Sequence, residues 1–195
     1  VTAYLEEHDS DRALLGYEVN VSCPNVKAGG VSIGAVPEQV ERTTRLVRDV
    51  TDRPLIVKLT PNVTDIAEIA RAAEAGGADA VSCINTVVGM TIDTAKKRPV
   101  LPRGTGGLSG PAILPIGVAA VYRVSRAVSI PVVGMGGIMS ADDAVQYLLA
   151  GASAIQVGTA NFADPRIASG MRDEIEAYAT RNGFRSLADF HASFA

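Results

Sequence analysis

The chain has 195 residues, of which 47% are hydrophobic, and its formal net charge is −3. This length supports one substantial core, and the Lys and Arg residues, outnumbered 18 to 21 by Asp and Glu, do not indicate a nucleic-acid-binding face. No apolar run approaches the ~20 residues that span a membrane, the acidic N-terminus is not of the signal-peptide type, and two isolated cysteines fit a reducing cytoplasm.

Short apolar segments alternate with longer helical patterns along the chain. The strand predictions are nearly continuous in apolar residues, as in parallel strands buried on both faces, and cover 16–21, 54–59, 79–84, 130–134 and 154–157. The helix predictions are 37–50, a helix capped by Thr64 and stopped at Gly76, 111–128, a helix capped by Ser140 that ends at Gly151, 165–182, and a short helix after Ser186. This order predicts a parallel α/β sheet with right-handed crossovers.

Five βα units are fewer than the eight of a closed barrel, which usually takes ~250 residues. Two architectures therefore remain: an open, doubly wound sheet, or a (β/α)8 TIM barrel of which about the last five units are present. We favour the barrel, with the missing units expected before residue 1, because only one helix precedes the first predicted strand. The long segment 86–110 breaks the alternation, and loops of this length are usually functional.

Polar side chains follow the predicted strands. Residues 20–25 read Asn-Val-Ser-Cys-Pro-Asn. This run places a thiol between two carboxamides at the carboxyl end of a strand, where α/β barrels have their catalytic residues. Lys58 ends the second strand, where a bound anion or an electron-rich ring would compensate an ammonium that is expensive to bury. Asn85 and Thr86 end the third strand and can orient a small polar substrate, although Asn also commonly opens turns. Cys83, inside that strand, is expected to be a small buried hydrophobe.

Glycine-rich turns follow the last two predicted strands. Gly134-Met-Gly-Gly-Ile138 leads to the helix at Ser140, and Val157-Gly-Thr-Ala160 ends the next strand. Glycines let backbone amides approach a phosphate, a nearby helix N-terminus adds a favourable dipole, and turns at these strand ends form the usual phosphate site of barrel enzymes. A third glycine-rich run, residues 104–111, suits a flat ligand or another phosphate oxygen, or is merely a flexible loop.

Together these motifs resemble class 1 dihydroorotate dehydrogenase, most closely the class 1B type. Six motifs carry the resemblance in the family's order: Asn20-Val-Ser-Cys-Pro-Asn-Val-Lys-Ala-Gly-Gly30, Lys58-Leu-Thr-Pro-Asn-Val-Thr-Asp-Ile66, Asn85-Thr86, Gly104-Thr-Gly-Gly-Leu-Ser-Gly-Pro-Ala112, Gly134-Met-Gly-Gly-Ile138 and Gly158-Thr-Ala-Asn-Phe162. The resemblance implies a single FMN-binding domain over 1–195, part of a TIM barrel that oxidises dihydroorotate to orotate in pyrimidine biosynthesis.

The resemblance also implies a role for each matching residue. Cys23 matches the catalytic base, which takes the C5 proton of dihydroorotate while hydride passes from C6 to flavin N5. The implied substrate-binding residues are Asn20, Asn25, Asn85 and Thr86. The implied FMN-binding residues are Asn20, Lys58, Ile84, Gly110, Gly136, Gly137, Gly158 and Thr159. No metal ligand is implied in this chain.

The family resemblance extends to partners. It implies a homodimer or, for class 1B, a heterotetramer whose second subunit carries FAD and a 2Fe-2S cluster and passes electrons to NAD. Two alternatives remain beside it. One is the pyrimidine-reducing FMN barrel of dihydropyrimidine dehydrogenases, which shares the sequence motif at residues 58–66. The other is a non-catalytic barrel fragment with a vestigial phosphate site.

Overall fold

A parallel β-sheet forms the centre of the chain. The computed structural model describes residues 1–11, 13–21, 27–28 and 31–194. The strands of the sheet are β1 (Tyr17–Asn20), β2 (Leu55–Lys58), β3 (Ala80–Cys83), β4 (Val132–Met135) and β5 (Ala154–Gln156). Every neighbouring pair is parallel, which confirms the predicted sheet.

The strand order follows the chain. Each strand pairs with the next one in sequence, in the order β1-β2-β3-β4-β5. A doubly wound sheet instead reverses its order at a switch point, so the doubly wound alternative does not match the described strands. A progressive order is that of consecutive strands in a β/α barrel.

Side chains from alternate strands meet on one face of the sheet. Ser82 Oγ on β3 donates to Glu18 Oε1 on β1 at 2.6 Å, and Gln156 Nε2 on β5 donates to the same oxygen at 3.3 Å. In a flat sheet with ~4.8 Å between strands, β1 and β5 would lie about 19 Å apart. The sheet is therefore strongly curved, and its concave face carries a layer built from alternate strands, as in a barrel interior.

Helices cover the convex face. The helices are α1 (Thr2–His8), α2 (Pro37–Arg48), α3 (Ile66–Ala75), α4 (Leu114–Val124), α5 (Ala141–Leu149), α6 (Ile167–Asn182) and α7 (Leu187–Ser193). From α2 to α6 each helix packs against the next, and α7 packs on α5. The strand residues between helices and sheet, such as Leu55, Val57 and Val81, are fully buried. No helix in the described ranges is long and apolar enough to cross a membrane.

The helix starts follow local sequence signals, with one correction. Ser140 caps α5 as predicted: its hydroxyl accepts from the Asp143 N–H at 3.2 Å, and the Asp143 carboxylate accepts from the Ser140 N–H at 3.0 Å. The prediction of Thr64 as a cap is wrong. Asp65 caps α3, and its carboxylate accepts from the N–H of Ala67 at 2.9 Å, which makes the buried Ile66 the first helical residue.

Other element boundaries are shifted from the predictions, most clearly at one strand and one helix. The strand predicted at 130–134 is Val132–Met135, because Pro131 has no N–H to donate to the ladder. The helix predicted from Pro111 begins as a 3-10 turn, Pro111–Ile113, and α4 then ends at Val124 rather than near residue 128.

The long segment 86–110 forms two small antiparallel hairpins. Val87–Gly89 pairs with Gly106–Leu108, and Ile92–Asp93 pairs with Arg98–Pro99. The first pairing brings the glycine-rich run at residues 104–111 back to the carboxyl end of β3, near the polar residues that follow the strands. A further short pair, Lys27–Ala28 with Val31–Ser32, follows β1.

Candidate functional site

A cavity of about 170 Å³ lies at the carboxyl ends of β2 to β5. Carboxyl ends of parallel strands meet at one edge of the sheet, so residues that are distant in sequence share this cavity. Its wall is formed by residues 58, 84–86, 109, 113, 135–138 and 156–159. Ligand sites of barrels are expected at this end.

Most of the predicted site residues line the cavity. They are Lys58, Ile84, Asn85, Thr86, Gly136, Gly137, Gly158 and Thr159. Asn20 is linked to them, because Asn85 Nδ2 donates to Asn20 Oδ1 at 3.2 Å. The backbone of Gly110 lies against the first glycine turn, since a Cβ added at Gly137 would be 2.9 Å from the Gly110 carbonyl oxygen. The predicted catalytic Cys23 and substrate-binding Asn25 lie outside the described residues.

Asn62 fixes the start of the long loop beside the cavity. Its Nδ2 donates to the carbonyl oxygen of Thr86 at 3.0 Å, and its Oδ1 accepts from the N–H of Val88 at 2.9 Å. Thr60 Oγ1 accepts from the same Nδ2 at 3.0 Å. No role for Asn62 is predicted from the sequence, because its two partners in the long loop are 24 and 26 residues away. The available signal is its place inside the motif that begins at Lys58.

The first glycine turn packs against the start of α4. Gly136 and Gly137 have φ values of 118° and 76°, which residues with a Cβ rarely adopt. A Cβ at Gly137 would also lie 2.6 Å from the backbone nitrogen of Leu114. Glycine is therefore required at this position, and the turn presents bare backbone to the cavity.

Two side chains engage backbone groups around the second turn and the start of α5. Asn161 Nδ2 donates to the carbonyl oxygen of Val157 at 2.8 Å, immediately before Gly158. Asp143 Oδ2 accepts from the N–H groups of Met139 and Ser140 at 2.9 and 3.0 Å. The N–H groups of Met139 and Ser140, which precede α5, are thus paired with the Asp143 carboxylate, and the N–H of Asp143 in the first turn is paired with the Ser140 hydroxyl.

Cys83 has a different environment from the cavity residues. It is fully buried on the helix side of β3, and burial raises the pKa of its thiol to about 12. The thiol therefore stays protonated near neutral pH, and the prediction that Cys83 is a packing residue is confirmed. Within the ranges that the structure describes, no group of three or more His, Cys, Asp or Glu residues could hold a metal ion.

Several wall residues were not predicted from the sequence. They are Ser109, Ile113, Met135, Ile138, Gln156 and Val157. Four of them, Ser109, Met135, Ile138 and Val157, lie within the glycine motifs, and the other two flank a motif directly, so membership of a motif or adjacency to one was the available signal. Gln156 differs from the other wall residues because its side chain forms a hydrogen bond with Glu18, which lies on the strand at the opposite edge of the sheet.

The chain matches a protein-family model described as dihydroorotate dehydrogenase over residues 12–178. It is 52% identical over 185 residues to a protein of Alkaliphilus metalliredigens named dihydroorotate dehydrogenase B (NAD(+)), catalytic subunit, covering 95% of this chain and 61% of that protein. It is 55% identical over 172 residues to proteins of the same name from Bacteroides fragilis and Caldicellulosiruptor saccharolyticus, covering 88% of this chain and 57% of each relative. The chain thus spans about three fifths of the length of these relatives.

Proposed function

Because this chain belongs to the dihydroorotate dehydrogenase family, we propose that it supplies the flavin and substrate site of an enzyme that oxidises dihydroorotate to orotate in pyrimidine biosynthesis. The observation that carries the proposal is the convergence of Lys58, Asn85, Thr86 and both glycine turns on one cavity. Relatives that share about half of the aligned residues are named as catalytic subunits of that dehydrogenase.

The described residues fit FMN. The turns at Gly136–Gly137 and Gly158 expose backbone beside the cavity, as phosphate binding requires. Lys58 lies in the same wall and would stabilise negative charge on the flavin ring, which is how a protein adjusts this cofactor. Bound FMN would supply the hydride acceptor for C6 of dihydroorotate.

The remaining chemistry falls to this chain's own side chains. Cys23, as the thiolate, would accept the proton from C5, so that one proton and one hydride leave and the C5–C6 double bond of orotate forms. A free thiol has a pKa of about 8.5, so the site must favour the thiolate. Asn20, Asn25, Asn85 and Thr86 would hold the substrate amides and carboxylate; the bond between Asn85 and Asn20 supports a shared role.

We propose that residues 1–195 form one domain, the last five βα units of a (β/α)8 barrel. The progressive strand order and the contact between Gln156 and Glu18 support this architecture. The cavity of about 170 Å³ is smaller than the ~300 Å³ at the lower end of the range for drug-sized ligands. Other βα units would supply the remaining walls of the flavin site.

The naming of the relatives as catalytic subunits supports a proposal about partners. We propose a homodimer of catalytic chains that joins a second, electron-transferring subunit to form a heterotetramer. That subunit would carry FAD and a 2Fe-2S cluster and pass electrons to NAD. Pyrimidine biosynthesis of this type would place the protein in the cytoplasm.

Titration of the purified chain with FMN, followed by anaerobic addition of dihydroorotate, tests the function. We expect the chain to bind FMN and the yellow colour to bleach as dihydroorotate is oxidised, with orotate formed in equal amount. NADPH followed by uracil serves as the control for a dihydropyrimidine dehydrogenase-like barrel and should produce no turnover. A colourless chain that binds no added FMN would instead support a non-catalytic fragment.

A further inference from the structure

Tyr147 on α5 lies directly behind the first glycine turn. The whole side chain is buried. Its hydroxyl donates to the carbonyl oxygen of Gly136 at 2.7 Å, and the carbonyl oxygen of Met135 lies 3.1 Å from the same hydroxyl. Because Phe would fill nearly the same volume, packing alone does not explain a hydroxyl at this position.

The space for this side chain is created by two glycines. A Cβ added at Gly117 of α4 would lie 1.8 Å from the Tyr147 hydroxyl oxygen, and one at Gly134 of β4 would lie 2.5 Å from its Cδ1. The ring is thus enclosed between a helix and a strand. Its hydroxyl is directed at the turn that follows β4.

The hydrogen bond determines which way one peptide of the turn faces. In a trans peptide the C=O and the following N–H point in opposite directions. The bond to Gly136 holds its carbonyl towards α5, which turns the Gly137 N–H away from α5. Both glycines line the cavity. Glycine peptides are conformationally permissive, so this orientation needs a restraint from outside the turn.

We propose that Tyr147 is a positioning residue for phosphate recognition, because its hydroxyl preorganises the Gly137 N–H as a donor to the phosphate of a flavin nucleotide. The inference rests on the proposed FMN site, and it assigns a role to a residue that does not itself line the cavity. Burial raises the pKa of Tyr147, so the hydroxyl keeps its proton and remains a donor. Loss of the hydroxyl would release the peptide and leave the Gly136 carbonyl without this partner.

The test compares FMN with riboflavin, which lacks the phosphate. In Tyr147→Phe we expect the dissociation constant for FMN to rise about five- to tenfold, the effect of roughly one hydrogen bond, while that for riboflavin stays within about twofold. A general loosening of the site would weaken both ligands together. The ratio of the two constants is therefore the readout.

Two further variants separate orientation from stability. Val145→Ala removes a buried contact from the other side of the same helix and should lower stability without changing the ratio. Replacement of Tyr147 by 4-aminophenylalanine keeps both a donor and the ring, and should keep the wild-type ratio. An unchanged ratio in Tyr147→Phe, or a lost preference in the 4-aminophenylalanine protein, would overturn the role of Tyr147. A wild-type chain that binds neither flavin contradicts the proposed function instead.

Discussion

Arg53 Nη1 lies 2.7 Å from Oδ2 of Asp9, and both side chains are largely buried. Arg53 Nε also lies 3.0 Å from Glu6 Oε1, which accepts from Thr51 Oγ1 as well. These contacts attach α1 and the residue that follows it to the segment that leads into β2. The N-terminal helix is therefore held by charged groups.

We predict that acid weakens this attachment. The hydrogen bond from Thr51 and the nearby Arg53 lower the pKa of Glu6 from its usual 4.5. Although burial acts in the opposite direction, the N–H groups of Leu14 and Ala13 and the charge of Arg53 lower the pKa of Asp9. Groups with a depressed folded pKa stabilise the fold above their unfolded pKa and lose that effect as the pH falls through the folded pKa, so Tm should fall between about pH 5 and pH 3.

Circular dichroism melting across this pH range provides the measurement. Glu6→Gln should have a lower Tm than the wild type near neutral pH and a flatter dependence on pH. Glu7→Gln, at an exposed position of the same helix, is the control and should follow the wild-type curve. Parallel curves for all three proteins would contradict the prediction.

Cys23→Ala tests the proposed base. We expect dihydroorotate oxidation to be abolished while FMN remains bound, because the thiol acts on substrate C5 and not on the cofactor. Cys23→Ser should retain slow activity that rises with pH, since a hydroxyl is a poorer base. Undiminished turnover of the alanine variant, measured as orotate formed, would refute the assignment.

Asn85→Ala tests the contact between the ends of β1 and β3. Removal of the amide takes away a proposed substrate contact and the bond to Asn20 Oδ1. Orotate affinity should fall about tenfold, the effect of one or two hydrogen bonds, whereas FMN affinity should change less. Asn182→Ala, which alters an amide on α6 bonded to the Tyr178 carbonyl, is the matched control for isothermal titration with orotate.

Two glycine-to-alanine changes should have opposite effects on stability. In Gly137→Ala the new Cβ would lie 2.6 Å from the backbone nitrogen of Leu114, and alanine would have to adopt a φ of 76°. We therefore expect a loss of at least ~1–2 kcal/mol in the free energy of unfolding. Gly170 lies in α6 with nothing within 4 Å of an added Cβ, and Gly170→Ala should gain about 0.5–1 kcal/mol. Urea denaturation measures both, and equal midpoints would count against the geometry of the turn.

Cys83 should be chemically silent in the folded chain. Burial raises the pKa of this thiol to about 12, so nearly all of it is protonated at pH 8. Iodoacetamide should therefore leave Cys83 unmodified until urea unfolds the protein, as read by mass spectrometry of peptides. Alkylation of Cys83 in the native protein at the rate of a free thiol would contradict its burial. Cys23, as a catalytic thiol, should react first.

The sequence predicted features that depend on neighbours along the chain. The Ser140 cap is such a feature, because its partner Asp143 is three residues away. Thr64 and Asp65 are both residue types that cap helices, and only the position of the buried Ile66 shows that Asp65 is the cap. Local signals thus locate an element well and its first residue less well.

Contacts between distant segments were not predictable in the same way. Tyr147, Asn62 and Glu18 each have hydrogen-bond partners in other strands or loops, and the residues around them in the sequence do not indicate which partners these are. The strand-end motifs could be placed together because a parallel sheet brings all carboxyl ends to one side, and Lys58 and Asn85 do line the same cavity.

Within the part of the chain that the structure describes, β1 and β5 each pair with a single strand. Their outer edges therefore carry main-chain donors and acceptors that can template a further strand. In a complete barrel these edges are the two seams at which additional strands join. In concentrated solution the same seams would recruit other copies of the chain, so solubility and completion of the barrel depend on the same two strands.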